Sequence, residues 1–339
     1  MVLGQNWGKM VNVTILVSAV VSFLATFLLL PYIIKYLKRI DIIVKDVHKQ
    51  PIIYIPISGG LAVMVGLFLG LMSYIFLQTF VDKANGSLVF LLAAMCSILI
   101  IALVGFVDDL LVKFNKKQNM YMGLKQWQKP FLVIPAAIPL MAVNSGITQV
   151  YIPFLGSVDL GLLYPLIIVP IAVVGAANMV NLLAGLNGLE SGLGIIYTGM
   201  LGIFAYVHGS MLAAAIAFIT FGALVAFYIF NKVPAKVLPG DSLTYLLGAV
   251  LASIAILGNM EKAALIISIP FFIEFFLKLR GKFKKQTIGY IKNGKIHSHY
   301  KEIYSIPHIF MRTGKFTEKQ IVLLMILIQL IFASLIWVL

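Results

Sequence analysis

Three acidic positions stand out because of what precedes them. Asp108 and Asp109 close the apolar run Leu103-Val104-Gly105-Phe106-Val107, and Asp241 follows Val237-Leu238-Pro239-Gly240. Between them lies Asn178-Met179-Val180-Asn181-Leu182-Leu183-Ala184-Gly185-Leu186-Asn187-Gly188-Leu189-Glu190, a stretch unusually dense in Asn and Gly. An ionised carboxylate near hydrocarbon is costly and marks a site or a pathway where it is kept. Mg²⁺ takes one or two carboxylates, supplemented by amide oxygens, water and substrate phosphates. Asp241 with Asn181 supplies one such pairing, and Asp108 and Asp109 add negative charge beside it. A single acid would only mark a helix end at the headgroup level; an adjacent pair plus a third after Pro-Gly fits a metal-dependent phosphate site at a membrane face. Asn and Gly are also ordinary turn residues, but an Asn amide offers both donor and acceptor, as needed for a nucleobase, a sugar amide or a metal.

These residues need elements to carry them. The 339-residue chain is 61% hydrophobic and 11% charged, whereas a soluble domain carries about 25% charged residues. Apolar runs recur from end to end, which implies an all-α polytopic membrane protein forming one integral-membrane domain over residues 1–339. Ten spans are expected, near 12–34, 57–80, 88–107, 129–144, 162–180, 190–207, 211–230, 243–258, 263–280 and 320–339. The first lacks the basic flank and small-residue cleavage site of a signal peptide and reads as a retained span. The single Cys96, inside an apolar run, is expected to be a small packing residue.

Charge orients the spans. Alternate loops at 35–56, 108–129, 231–242 and 280–319 hold five, five, two and ten Lys or Arg residues, 22 of the 26 in the chain, whereas the other side has Lys9, Lys83 and Lys262. Lys and Arg accumulate on the cytoplasmic side, so those loops, and Asp108, Asp109, Glu190 and Asp241 with them, are expected to face the cytoplasm, with both termini outside. The basic face can also meet anionic headgroups or an anionic substrate. No nucleic-acid partner is expected.

Two loops carry hairpin patterns. Residues 148–161 alternate apolar and polar residues around Leu155-Gly156 on the outer side. Ile288-Gly289-Tyr290-Ile291-Lys292-Asn293-Gly294-Lys295-Ile296-His297 places Asn-Gly between short alternating runs on the inner side. The same loop holds His297, His299 and His308 among several lysines. Without a Cys partner or a third ligand at short spacing, His-x-His is a poor zinc site; contact with pyrophosphate or sugar and a solvated topology-setting loop both remain open. Glu274 is the one strongly intramembrane acid, with Lys278 one turn on as its partner.

Taken together, five segments in order resemble the polyprenyl-phosphate N-acetylhexosamine-1-phosphate transferase family. They are Lys45-Asp46-x-His48-Lys49-x-Pro51 followed by Ser58-Gly59-Gly60; Gly105-Phe106-x-Asp108-Asp109; Asn178-x-x-Asn181 through Gly185-x-Asn187-Gly188-x-Glu190; Gly240-Asp241; and a late basic loop ending Pro307-His308-x-Phe310. The Ala-Gly-Leu-Asn-Gly-Leu-Glu form is similar to the archaeal and eukaryotic UDP-GlcNAc:dolichyl-phosphate N-acetylglucosaminephosphotransferase branch. Val112 stands where that branch often has Asn, its Arg-rich late-loop motif is matched only by Lys284 and Lys285, and the bacterial triple-His motif is reduced to His308.

The resemblance implies transfer of N-acetylglucosamine 1-phosphate from UDP-GlcNAc to a polyprenyl or dolichyl phosphate in a cell or ER-type membrane, with release of UMP and with Mg²⁺, or Mn²⁺ in its place, as cofactor. It implies Asn181 and Asp241 as metal ligands, and Asp108, Asp109 and Lys129 as catalytic residues acting on phosphate. Lys45, Asp46, His48, Asn178, Asn187, Glu190, Lys284, Lys285 and His308 become substrate contacts. The expected partners are the two substrates and the bilayer, with a homodimer as the alternative to a single chain. The rival readings are a secondary transporter of an anionic solute, which would place its site near the bilayer midplane at breaks repeated in two halves, and a non-catalytic lipid-binding scaffold.

Overall fold

The computed structural model describes residues 2–49, 51, 53–84, 86–116, 123–125, 127–143, 149–152 and 156–338. The expected Tyr151–Phe154 segment and the loop after the aspartate pair therefore lie partly outside the described residues. With almost no water to satisfy peptide groups in a bilayer, apolar runs of this length must close their hydrogen bonds internally, and helices do so. Among the described residues, eight helical segments are long and apolar enough to cross: Val13–Arg39, Gly60–Phe80, Leu88–Leu111, Tyr164–Leu182, Leu189–Val207, Met211–Asn231, Asp241–Gly258 and Glu318–Trp337. The chain is a multi-pass, all-α membrane protein.

The longer helices and their companions are α1 (Val2–Arg39), α2 (Gly60–Phe80), α3 (Leu88–Lys116), α6 (Val169–Leu182), α7 (Leu189–Val207), α8 (Met211–Asn231), α9 (Asp241–Gly258) and α13 (Glu318–Ser334). The other two of the ten expected spans are not among these eight; their residues form shorter, broken helices. Residues 128–143 run as α4 (Gln128–Val133), a 3₁₀ turn and α5 (Ile138–Val143), interrupted where Pro135 removes a backbone donor. Residues 261–280 run as α10 (Glu261–Ile267) and α11 (Ile269–Arg280), broken before Pro270.

Each of three connections folds into an antiparallel hairpin. β1 (Ile43–Asp46) pairs with β2 (Ile53–Pro56), β3 (Gln149–Ile152) with β4 (Gly156–Asp159), and β5 (Tyr290–Lys292) with β6 (Lys295–His297). The last two are the expected ones; Asn293 and Gly294 both take positive φ, as a tight two-residue turn requires. The β1–β2 hairpin was not expected. A short helix, α12 (Pro307–Met311), ends the late loop.

α9 is the axis of the molecule. Every residue from Ser242 to Ile256 is buried, and α2, α3, α6 and α8 enclose it. Lipid tails are as apolar as leucine, so close packing of small residues, more than water exclusion, holds such helices together. Gly248, Ala249, Ala252 and Ala255 provide that close fit along α9. α1 is held against α2 and α8, with Ser18, Ser22 and Thr26 buried at one-turn spacing along it. Cys96 lies on the exposed outer surface of α3, not in the packing where it was expected.

One expectation about α3 changes. The helix does not stop at Asp108-Asp109 but continues to Lys116, because Leu110-Leu111 extends the apolar pattern beyond the pair. The aspartates thus stand within a helix that passes the start of α9, where Gly105 is required: a Cβ there would collide with the backbone of Asp241 and Ser242.

Candidate active site

The start of α9 is built before any ligand is considered. Gly240 precedes it with φ +73°, a conformation natural to glycine. A helix start leaves N–H groups without internal partners and favours negative charge. Asp109 supplies both from another helix. Its Oδ1 accepts the Asp241 N–H at 2.8 Å, and its Oδ2 accepts the Ser58 hydroxyl at 2.7 Å and the Ser242 N–H at 3.3 Å. Asp109 was read as a group acting on phosphate; the structure places it beneath α9 as a cap, outside both cavity walls described below.

Asp241, lifted by this support, meets three chain segments. Its Oδ2 accepts from Lys129 Nζ at 2.8 Å and from Asn181 Nδ2 at 3.1 Å. The same ammonium lies 2.5 Å from Asp108 Oδ2, and the other Asp108 oxygen accepts the backbone N–H of Leu124. Asn181 Oδ1 accepts the Thr244 hydroxyl at 3.0 Å. Thr244 was missed in the sequence; its only signal is its place one turn after Asp241. A single buried lysine thus bridges two carboxylates.

Two cavities adjoin this cluster and share Asn181, Ala184 and Ile288. The larger, about 800 Å³, has Lys129 and Asn178 on one side and Lys278, Lys284 and Lys285 on the other, with Val174, Met179 and Phe275 as apolar wall. The smaller, about 370 Å³, is lined by Lys45, Asp46, His48, Asn187, Glu190 and Asp241 among others. Nearly all the expected contacts therefore converge. Three expected residues line neither cavity: Asp109, Asp108, which stands behind Lys129, and His308.

The smaller cavity has its own buried network. Asn187 donates its amide to Asp46 Oδ2 at 2.9 Å and its backbone N–H to Glu318 Oε1 at 2.9 Å. His48 Nε2 accepts the Gly289 N–H at 3.3 Å, which leaves the ring proton on Nδ1, 3.2 Å from Glu318 Oε1. Glu190 Oε1 accepts the Gly185 N–H at 2.7 Å, while its Oε2 is buried without a partner. An unsatisfied carboxylate oxygen beside a cavity is an acceptor still open to a ligand. Asn178, by contrast, turns its amide nitrogen back to Val174 O at 2.8 Å.

The late loop is held over the larger cavity by buried polar contacts. Glu274 meets Lys278 at 3.5 Å, as expected, and accepts the Ile306 N–H at 2.8 Å. Lys278 donates to the Lys285 carbonyl at 3.0 Å and to Thr287 at 2.8 Å. The Lys285 ammonium sits over the Tyr300 and Tyr304 rings, so Lys284 is the more available of that pair.

His308 was expected to touch substrate, yet it is fully buried and lines neither cavity. Its Nε2 donates to Gln286 O at 3.1 Å and its Nδ1 accepts the Tyr304 N–H at 3.3 Å. Burial, reinforced by the Lys278 charge, pushes its pKa down to about 4, so the ring stays neutral and clamps the loop. His297 and His299 pack against the Tyr290 ring.

The oxygen donors suit a metal that keeps open positions. Among the described residues, no three His, Cys, Asp or Glu side chains form a metal cage. One carboxylate, Asp241, and one amide, Asn181, stand together here, a donor set that fits Mg²⁺ with phosphate oxygens and water completing the shell better than it fits zinc.

Comparison with known proteins agrees with this geometry. Residues 90–259, which include Asp108, Lys129, Asn181 and Asp241, match the model of glycosyl transferase family 4. The chain is 34% identical over 322 residues to a Saccharolobus solfataricus protein provisionally named UDP-N-acetylglucosamine–dolichyl-phosphate N-acetylglucosaminephosphotransferase, covering 94% of each. A Sulfolobus acidocaldarius protein of the same provisional name is 36% identical over 95% of this chain and 94% of its own length. The phospho-N-acetylmuramoyl-pentapeptide-transferase of Halalkalibacterium halodurans is 31% identical over 86% of this chain and 90% of its own. With half of the chain matched by the family model and relatives above 30% identity covering nearly all of it, the chain belongs to glycosyl transferase family 4.

Proposed function

We propose that this protein transfers N-acetylglucosamine 1-phosphate from UDP-GlcNAc to a polyprenyl phosphate of the dolichyl type, releasing UMP, as the first membrane step of glycan assembly. The observation that carries this reading is the Lys129 bridge between Asp108 and Asp241 at the junction of two cavities. The smaller cavity carries carboxylate, amide and imidazole side chains, suited to a nucleotide; the larger has lysines over an apolar wall, suited to a lipid phosphate. The names of the two archaeal relatives support the same substrates. A transporter would place its polar groups near the midplane, whereas these gather where helix ends meet.

In the reaction, an oxygen of the lipid phosphate attacks the β-phosphorus of UDP-GlcNAc. The bond from that phosphorus to the bridging oxygen breaks, and UMP leaves with the electron pair. Lys129 neutralises charge on the phosphates, and Asp108 orients Lys129. Asn187 and the open oxygen of Glu190 hold the nucleotide side, with Lys45 at its edge. Asp241 and Asn181 would hold Mg²⁺, or Mn²⁺, which supplies charge neutralisation and in-line orientation when bound. The 22 basic residues on one side support a site facing the cytoplasm.

The test is UMP release by the purified protein from UDP-GlcNAc and a polyprenyl phosphate, with mass spectrometry of the lipid. A polyprenyl-diphospho-N-acetylglucosamine product is expected; no product from any polyprenyl phosphate overturns the reading. For orientation, in a background with Cys96 replaced by alanine, a cysteine introduced at Asn293 should be protected from an impermeant outside reagent and one at Gly156 labelled. The reverse pattern would put the site outside.

A further inference from the structure

Glu318 belongs to none of the segments that pointed to the site. It is the first residue of α13 and is 6% exposed. A glutamate in a first helical turn ordinarily complements the N–H groups of its own helix. Here that work is done by Thr317 and Gln320, which form a reciprocal cap. The Glu318 contacts all leave α13. Its Oε1 accepts the Asn187 N–H at 2.9 Å and the His48 Nδ1–H at 3.2 Å. Its Oε2 lies 3.5 Å from Asn187 Nδ2 and 3.6 Å from Lys49 Nζ.

The consequence lies in the smaller cavity. The Asn187 amide nitrogen is held between Asp46 Oδ2 and Glu318 Oε2, so its carbonyl oxygen is turned away from both carboxylates. An amide has a definite donor end and acceptor end, and two carboxylates on one side decide which end a ligand meets. Through His48, Glu318 also fixes the Gly289 N–H, next to Ile288, which lines both cavities.

We propose that Glu318 is a positioning residue for the donor nucleotide, setting the Asn187 amide and, through His48, the late-loop wall of the nucleotide cavity. This rests on the smaller cavity being the nucleotide site. The residue touches no substrate itself, so its removal acts on donor affinity and leaves lipid affinity alone.

Glu318→Gln keeps the size and removes the charge. In the full-length protein, it raises KM for UDP-GlcNAc and Kd for UMP about tenfold, as expected for weakened hydrogen bonds to a buried charged acceptor. kcat and the KM for polyprenyl phosphate stay within about threefold. Combined with Asn187→Ala, it adds little to the single Asn187 change, because the two act through one contact. Should Glu318→Gln fail to fold, His48→Gln gives the same pattern at about threefold. Wild-type UMP affinity in the folded variant overturns the proposal, as does an equal loss in kcat and both KM values with a lowered Tm, which marks a merely structural role. Wild-type protein that makes no lipid-linked sugar overturns the functional reading and this proposal together; an active wild type with an unaltered Glu318→Gln overturns this proposal alone.

Discussion

Asp109 accepts the backbone N–H of Asp241 at 2.8 Å, so one acid of the adjacent pair builds the helix start that presents the third acid. Neighbouring positions on a helix point about 100° apart, and Asp108 and Asp109 accordingly serve different partners. Asp109 grips α9, and Asp108 grips Lys129.

Asp109→Ala therefore loses stability as well as turnover. Three hydrogen bonds to a buried carboxylate disappear, and the Asp241 and Ser242 N–H groups are left without that partner. A loss of about 2–4 kcal/mol is expected, read as a lowered unfolding midpoint in detergent. Asp108→Ala should lower the midpoint less, because Lys129 keeps Asp241 as its partner. Equal midpoints for the two variants would remove the capping role.

Asp241→Asn keeps the shape of the side chain and removes the charge that holds Lys129 and would hold Mg²⁺. Turnover should fall by roughly 10³-fold or more, as for a metal ligand. Chelation with EDTA should stop the wild-type reaction, and added Mg²⁺ or Mn²⁺ should restore it. Near-normal rates for Asp241→Asn at low Mg²⁺ would assign the metal to other residues.

Lys129→Met should lower kcat about 10²-fold or more while leaving UMP binding nearly intact, since Lys129 belongs to the larger cavity and the carboxylate bridge. If Asp108 acts through Lys129, Asp108→Asn combined with Lys129→Met should be little worse than Lys129→Met alone. Single-turnover rates for the three variants decide this. Additive losses would give Asp108 an independent contact with substrate.

His308 predicts a pH dependence of stability. Its folded pKa of about 4 lies below the ordinary value of 6.5, so the unfolded chain takes up this proton first as pH falls. The contribution is complete above pH 6.5 and is lost progressively towards pH 4, about 3 kcal/mol at most. His308→Gln should be less stable at pH 7 but flatter between pH 6.5 and 4. Parallel stability curves for the two proteins would show that the ring is not the titrating clamp.

Eight of the ten expected spans, the alternate basic loops, the Asn293-Gly294 hairpin and the convergence of Asp108, Lys129, Asn181 and Asp241 were legible in the sequence. Lipid leaves a long apolar run little choice but a helix, and alternation of helix direction then brings every second loop to one face. What each polar group does on that face was not legible. The length of α3 beyond Asp109, the capping of α9 by Asp109, the burial of His308 and the convergence of His48, Lys49 and Asn187 on Glu318 depend on which helix end comes to rest beside which carboxylate. Asp109 meets Ser58 across 51 positions, and Asn187 meets Glu318 across 131. Contacts at such separation leave no periodicity in the chain. Only the packing around α9, where small residues let helices approach closely, decides which acids face a ligand and which hold the frame.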